Sequence, residues 1–438
     1  MKIAIYILWI SIFCGTVTAQ TDTIKLSLQQ AIATGLKTRY DVQSNQFNIA
    51  MAENAIHKSK KEWIPEITGS GNVRYNSQLQ KQIVPAGVLG NSEPMSFSLE
   101  TKTNSVYSLD LTQVIYKPGI NCDIKIAKNN FELEKEKDRQ LKINTKTAIT
   151  ESYLNSLLKE LQLKIAKNNE TRYSEYLAVV AGRYKYGTLI ENDYLKAKLD
   201  YENAKVETRK SQQNYDLALN YIKYQINTNS NVILILTDSL NAISTLENTA
   251  PLQETATNRT EIKQLRLIKE SNELQLKKAR QIALPTIYLF ANYSSQFQHS
   301  NFDYKQKEWW SPYNYVGIKI SLLLTSNFKN SNNIRESKFR SAKTDIDIQQ
   351  KTADIKYEIQ NAFTELTNAL QNMQSTKANY DLSTTIYLNQ KQQYNLGSLL
   401  YSSLLETEKT LNTAEQNYIK AAYDYLMAKM RYDKALGN

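Results

Sequence analysis

The segment KKEWIPEI at residues 60–67 recurs as RQIALPTI at residues 280–287, and this recurrence is the main clue to the fold. A second pair, Arg39-Tyr-Asp-Val42 and Arg259-Thr-Glu-Ile262, stands at the same offset of 220 residues. Two further matches pair Leu109-Asp-Leu-Thr112 with Ile318-Lys-Ile-Ser321, and the Tyr-Gly-Thr turn at Gly187 with the Leu-Gly-Ser turn at Gly397. Repetition at this period indicates two copies of one structural unit.

Each copy is predicted to run helix, strand, loop, strand, long helix, turn, long helix. The first copy covers residues 20–230, a connector covers 231–250, and the second copy covers 251–438. Ser27 and Gln30 form a plausible capping box at the start of the first helix. Pro65 and Pro285 fall where each first helix gives way to a strand, a position that tolerates a missing backbone donor.

Four segments alternate between apolar and polar residues and are predicted as strands, at about 66–78, 104–117, 286–297 and 312–324. Such two-faced strands suit a lipid-facing, water-lined barrel, although a soluble antiparallel sheet has the same alternation. Aromatic residues near the strand ends favour the membrane sheet, because aromatic girdles form at bilayer interfaces. These residues are Tyr75, Tyr107, Tyr116, Tyr304, Trp309, Trp310, Tyr313 and Tyr315.

Two long helical hairpins are predicted at residues 122–228 and 331–436, with their turns at Gly187 and Gly397. Glycine (12) and proline (7) are scarce, as long helices require. Apolar residues recur at helical spacing in both hairpins, which predicts helix-on-helix packing. The stripes are Leu154, Leu157, Leu158, Leu161, Ile165 and, in the second hairpin, Ile355, Ile359, Ala362, Leu366, Leu370, Met373.

Residues 1–19 predict a cleaved signal peptide, since Lys2 precedes an apolar run and small residues follow it. A lipid anchor on Cys14 is the alternative. Cleavage leaves Cys122 as the one thiol, which argues against a disulfide framework. The net charge of +11 is interleaved with acidic and amide residues along the helices, a pattern of solvated helix faces rather than of nucleic-acid binding.

The sequence gives little support to an enzyme. His57 and His299 lie at unrelated places, and no Cys or His spacing suits a metal. Gly69-Ser-Gly71 lies within an alternating strand, so it is not a phosphate-binding loop. Cys122 has no evident histidine partner nearby in the sequence. We therefore expect neither catalysis nor a cofactor.

The duplicated order of elements, Leu26-Ser-Leu-Gln-Gln-Ala-Ile32 at the start of the first helix and the two glycine turns resemble the TolC family of outer-membrane efflux factors. The resemblance covers nearly all of the mature chain and implies an α+β membrane protein. Three chains of four strands each would form a 12-stranded β-barrel, continued by a periplasmic α-helical barrel of coiled-coil hairpins. The implied partners are a periplasmic adaptor, an inner-membrane transporter of RND, ABC or MFS type, and outer-membrane lipid.

The resemblance also implies functional residues at the two turns. The adaptor would contact Tyr186, Gly187, Thr188, Leu396, Gly397 and Ser398. The closed tip would be held by a hydrogen bond between Tyr394 and Asp193, while Leu399 replaces the arginine that reinforces it in the family. Of two expected acidic rings, Ser403 replaces one and Glu406 keeps the other. The alternative interpretation is that both glycines only end helices in a left-handed conformation. For Glu406, the alternative is a solvated carboxylate on a helix surface.

The sequence also departs from the family in its prolines, since Tyr40, Thr260, Val114 and Leu323 stand where prolines are usual. A rival function is an exported coiled-coil structural or adhesin-like surface protein. The exported substrate and the class of pump are left open by these residues.

Overall fold

The computed structural model describes residues 23–88, 90, 92–239, 259–396 and 398–437. The predicted signal peptide with Cys14, residues 240–250 of the predicted connector, and Gly397 lie outside the described residues. The described chain is mostly helical and contains one four-stranded sheet, which confirms the predicted combination of long helices with four strands.

The first copy comprises nine helices and strands within its described residues. They are β1 (Thr23–Leu26), α1 (Leu28–Thr38), α2 (Tyr40–Lys61), β2 (Glu66–Tyr75), β3 (Gln82–Val84), β4 (Met95–Phe97), β5 (Thr103–Tyr116), α3 (Ile120–Lys185) and α4 (Glu191–Gln225). A short strand, β6 (Ile233–Leu236), follows in the connector. The hairpin of β3 and β4, which the sequence did not predict, lies in the loop between β2 and β5.

Within its described residues, the second copy repeats the order helix, strand, strand, long helix, long helix, without the additional hairpin. Its elements are α5 (Thr260–Gln281), β7 (Thr286–His299), a 3-10 turn (Lys307–Trp309), β8 (Trp310–Ser321), α6 (Ser326–Asn395) and α7 (Tyr401–Leu436). The strands therefore begin and end within about three residues of the predicted positions.

The first helix begins as predicted but is interrupted. Ser27 accepts a hydrogen bond from the Gln30 N–H (3.3 Å), and the Gln30 side chain accepts one from the Ser27 N–H (3.0 Å), which confirms the capping box. The sequence reading extended this helix without a break to the first strand. Arg39 instead adopts extended backbone (ψ 133°) and separates α1 from α2.

The chain divides into two compact units, and one of them, Asn48–Lys135 with Gln264–Gln349, holds the sheet. Its strands lie in the order β2-β5-β7-β8, and every neighbouring pair is antiparallel. One face exposes large apolar side chains, whereas the other carries a polar network in which Asn292 donates to Asp110 (2.7 Å). The exposed apolar side chains include Ile67, Leu109, Tyr293, Val316, Ile318 and Ile320.

The second unit, Met1–Phe47 with Glu136–Lys263 and Gln350–Asn438, contains a helical core and the parallel pair of β1 with β6. The Tyr153 hydroxyl, on α3, lies 2.9 Å from the Leu26 carbonyl oxygen and 3.0 Å from the Asp238 carboxylate, and so ties both short strands to the helix. A Cβ at Gly35 would overlap Ile149, so this glycine permits the close approach of α1 to α3. Most residues of the two predicted stripes pack in this core, whereas Ile355 packs against Ile262 in a separate small cluster.

Two arginines at equivalent positions of the repeats make equivalent contacts. Arg39 bonds both carboxylate oxygens of Asp41 (3.0 and 2.7 Å) and donates to the carbonyl oxygen of Gln225, the last residue of α4 (3.5 Å). Arg259 bonds both carboxylate oxygens of Glu261 (3.0 and 2.6 Å) and the carbonyl oxygen of Ala435 at the end of α7 (2.5 Å). Each arginine thus caps the C-terminus of its own copy's last long helix.

Candidate functional site at the hairpin tips

The first tip is the turn between α3 and α4, and its backbone is that of a glycine helix cap. Gly187 has φ of +72°, in the left-handed region that favours glycine. Its N–H donates to the Tyr184 carbonyl oxygen (2.9 Å). The Thr188 N–H and hydroxyl both donate to the Arg183 carbonyl oxygen, at 3.0 and 2.9 Å.

The second tip, between α6 and α7, repeats this arrangement. The Ser398 N–H and hydroxyl both donate to the Gln393 carbonyl oxygen, at 3.0 Å each. Ser398 is the residue that matches Thr188, and each bonds a carbonyl group five residues earlier. Gly397 itself lies outside the described residues. The duplication of the sequence therefore extends to the hydrogen bonds of the two turns.

Large apolar side chains at both tips are exposed. Tyr186 is 81% exposed and Leu396 is 77% exposed, and Ile190 and Leu400 are also exposed. Exposed apolar groups at the ends of both hairpins suit a contact with another protein. The adaptor contact at Tyr186, Gly187, Thr188, Leu396, Gly397 and Ser398 stays a prediction.

The two residues of the predicted latch lie on different hairpins. Asp193 lies in the first turn of α4, and Tyr394 lies in the last turn of α6. In the described part of the single chain no hydrogen bond joins them; the Tyr394 ring packs instead against Tyr401, with ring centroids 5.3 Å apart. The latch therefore stays a prediction.

The predicted constriction residues lie on one side of α7. Ser403 and Glu406 are both exposed, and they are separated by three positions, about one helical turn. Glu406 borders a polar groove of about 380 Å³ between α6 and α7, together with Thr376, Asn379 and Lys409. Its carboxylate is thus available to water and ions, and its role in a ring stays a prediction.

A group of three tyrosines, here called the tyrosine layer, joins both hairpins near the tips. Tyr176 of α3 stacks on Tyr401 of α7 at 4.3 Å between ring centroids, and Tyr394 of α6 packs edge-on against Tyr401. Burial raises the pKa of Tyr401, and the charge of Glu408 raises it further. Tyr401 is therefore an uncharged packing group at the centre of this layer.

Farther from the tips, a second group, here called the polar layer, consists of Arg172, Tyr387 and Glu408. The Tyr387 hydroxyl donates to the Glu408 carboxylate (3.0 Å), and the Arg172 Nε lies 4.0 Å from its other oxygen. Arg172 also donates to Asn412 of α7 (2.7 Å). Burial first, then the charge of Glu408, raises the pKa of Tyr387 to about 12, so its hydroxyl remains protonated and donates.

The sequence reading did not select these two layers. Leu404, Glu408 and Leu411 are all buried and lie at i, i+4 and i+7 on α7. The sequence signal for Glu408 was its position between leucines at helical spacing, because a solvated glutamate would lie on the opposite face of the helix. The aromatic pairing gave no such signal, since Tyr176 lies far from Tyr394 and Tyr401 in the sequence.

Among the described residues, no cluster of three or more His, Cys, Asp or Glu side chains could hold a metal ion. In the same part of the chain, no helix combines the length and the apolarity that a membrane crossing requires.

Residues 31–226 and 252–438 match the family model described as Outer membrane efflux protein. The chain belongs to this family of outer-membrane efflux proteins. This confirms the resemblance to TolC-type factors and places the protein in the outer membrane. The match favours a channel over the exported scaffold or adhesin that the sequence left open.

This outer-membrane efflux protein is also similar to AprF, the alkaline protease secretion protein of Pseudomonas aeruginosa PAO1. The two are 20% identical over 287 residues, which cover 65% of this chain and 59% of AprF. The chain thus spans less than two thirds of the length of AprF.

Two solved channels have the same fold. CusC has a TM-score of 0.77 at 16% identity, over 95% of this chain and 94% of CusC. The outer membrane channel CmeC of Campylobacter jejuni has a TM-score of 0.73 at 14% identity, over 94% of this chain and 85% of CmeC.

Proposed function

We propose that this protein is the exit duct of a tripartite efflux or type I secretion system. Three copies would contribute four strands each to one 12-stranded barrel in the outer membrane. Their helical hairpins would form a periplasmic tunnel that receives cargo from an inner-membrane transporter through a periplasmic adaptor. No chemical step on the cargo is part of this function.

The observation that carries the proposal is the sheet with one exposed apolar face. Ile67, Val316 and Ile318 are each more than half exposed on that face. Exposing so much apolar surface is unfavourable in water but favourable in contact with lipid. The outer edges of β2 and β8 have no partner strand in the described part of one chain. Open edges do not occur in hydrocarbon, so further copies must close the sheet.

The adaptor would bind the two tips, where Tyr186 and Leu396 are exposed beside the glycine turns. A ring of three Glu406 carboxylates would line the narrowest point, with Ser403 one turn away. Such a ring attracts cations. The hydrogen bond between Tyr394 and Asp193 would form in the assembled, closed tip.

The cargo would be set mainly by the inner-membrane partner. AprF is named for secretion of a protease. Polypeptide export is therefore one candidate for this chain, beside export of small molecules by an RND or MFS pump.

Reconstitution in planar bilayers tests the proposal. The purified, folded protein should produce discrete conductance steps that do not depend on added nucleotide or adaptor. Folded protein that inserts into the bilayer without conducting would contradict the exit-duct function.

A further inference from the structure

Glu408 of α7 is a buried carboxylate at a position where its helix otherwise buries leucines. The residue is 8% exposed, between Leu404 at 5% and Leu411 at 9%. Removing a carboxylate from water is costly unless opposite charge and hydrogen bonds compensate for it. Its partners should therefore define a specific arrangement of the helices around it.

The partners come from both hairpins. The Oε1 atom accepts a hydrogen bond from Tyr387 of α6, in the same hairpin as Glu408. The Oε2 atom lies 4.0 Å from Arg172 of α3, in the other hairpin. Asn412, one turn beyond Glu408, accepts a second bond from Arg172 (2.7 Å). One guanidinium group thus contacts two successive turns of α7.

The contact also fixes the rotation of α7 about its axis. Residues two positions apart on a helix point about 200° apart, because each residue turns the helix by about 100°. With Glu408 held against α3, Glu406 must point to the other side, where it is exposed in the polar groove between α6 and α7. The burial of one glutamate therefore determines the exposure of the other.

We propose that Arg172 and Tyr387 are positioning residues that hold Glu408, and through it keep the two hairpins together at the closed tip with Glu406 directed into the channel. The proposal rests on the proposed exit-duct function. It assigns the restraint to a charged contact in the polar layer, independently of the bond predicted between Tyr394 and Asp193. The tyrosine layer joins the hairpins through ring packing, so it is a contact separate from the polar layer.

The experiment measures single-channel conductance of the full-length protein in planar bilayers. Glu408→Gln keeps the hydrogen bond to Tyr387 but removes the charge that faces Arg172. Arg172→Glu places two carboxylates together. We expect the first change to raise the conductance of the closed channel several-fold and the second to raise it further. The double exchange Arg172→Glu with Glu408→Arg should return it toward the wild-type value.

Asp424→Asn is the matched control, because Asp424 is an exposed carboxylate on the same helix. It should leave conductance unchanged. Tyr387→Phe removes a single hydroxyl group and should have a smaller effect in the same direction as Glu408→Gln. Wild-type conductance in Glu408→Gln, Arg172→Glu and Tyr387→Phe would overturn the proposal. So would an increase that the double exchange fails to reverse, which would indicate general destabilisation.

A second measurement separates this inference from the proposed function. Spin labels on cysteines introduced at the exposed positions Lys185 and Ser402 report the separation of the two tips. In Arg172→Glu the distance distribution should shift to longer values, whether or not the protein conducts, and the double exchange should reverse the shift. An unchanged distribution overturns the inference, whereas absence of wild-type conductance alone contradicts only the exit-duct function.

Discussion

Arg259 contacts three structural elements with one side chain. It bonds both oxygens of Glu261, approaches Glu358 of α6 at 3.3 Å and donates to the carbonyl group of Ala435 at the end of α7. In the first copy, Arg39 makes the matching contacts to Asp41 and to Gln225 at the end of α4. The repeated Arg-x-Asp/Glu sequence predicted the equivalence of the positions, but their role as helix caps required the structure, because the capped ends are far away in sequence.

Arg259→Lys should destabilise the protein by about 1–3 kcal/mol, because a lysine cannot make the two-pronged contact to Glu261 and also reach the helix end. Thermal unfolding followed by helical circular dichroism measures the effect. Arg266→Lys, at an exposed position of the same helix, is the control and should change little. Equal stability of both variants would show that the cap is dispensable.

Glu261 gives this contact a dependence on pH. Burial acts to raise the pKa of Glu261, but the hydrogen bonds from Arg259 and from its own backbone N–H lower it below the ordinary glutamate value. The ionised Glu261 therefore stabilises the folded protein at pH values above its pKa in the unfolded state. This stabilisation is lost as the pH falls through the pKa of Glu261 in the folded state. From about pH 5 to pH 3, the unfolding free energy should fall more in the wild type than in Glu261→Gln. Parallel pH profiles would contradict this.

At the scale of single elements, substitutions at Gly187 distinguish a helix-capping role of this glycine from a role in binding an adaptor. A Cβ at Gly187 would meet no atom within 4 Å, so Gly187→Ala suffers only backbone strain of about 1–2 kcal/mol. Gly187→Arg also places a bulky charge where an adaptor would bind. We expect it to abolish export while the trimer still assembles.

Gly182→Arg is the control, because that glycine also faces open space but lies within α3. It should retain more export than Gly187→Arg. Loss of assembly in Gly187→Arg would support a helix-cap role alone, and equal loss of export in both variants would argue against a specific contact at the turn.

Substitutions at Glu406 of α7 test whether this residue lines the predicted constriction. Glu406→Gln should reduce the preference for cations and weaken block by multivalent cations, because no second acidic residue stands at Ser403. Ser403→Asp should increase both. Reversal potentials measured in salt gradients give the ion selectivity of each variant. Unchanged selectivity in both variants would show that Glu406 is a solvated residue on the helix surface.

Local patterns predicted the elements well where neighbours in sequence determine them. Alternation identified the four strands, and Ser27 with Gln30 identified the first helix start. The pair of β1 with β6 was missed, because Thr23 and Ile233 meet across about 200 residues and neither strand has a local signal. Glu408 was missed for a related reason, since its partners Arg172 and Tyr387 lie on other helices.

At the scale of the whole molecule, we propose that one chain is an incomplete part of the channel. In the described part of a single chain, the sheet exposes the apolar side chains of Ile67, Leu109 and Ile318 and ends at two open edges, β2 and β8. Lipid can cover the apolar face, but it offers no hydrogen bonds to the edges. Assembly through the edges satisfies both requirements.

The mass of the purified particle shows whether several chains assemble. Light scattering with the bound detergent subtracted should give a protein mass of about three times the 50.3 kDa chain, less any cleaved leader, with full strand content by circular dichroism. A monodisperse monomer with the same strand content would rule out assembly through the sheet edges, because those edges would then be stable without further copies.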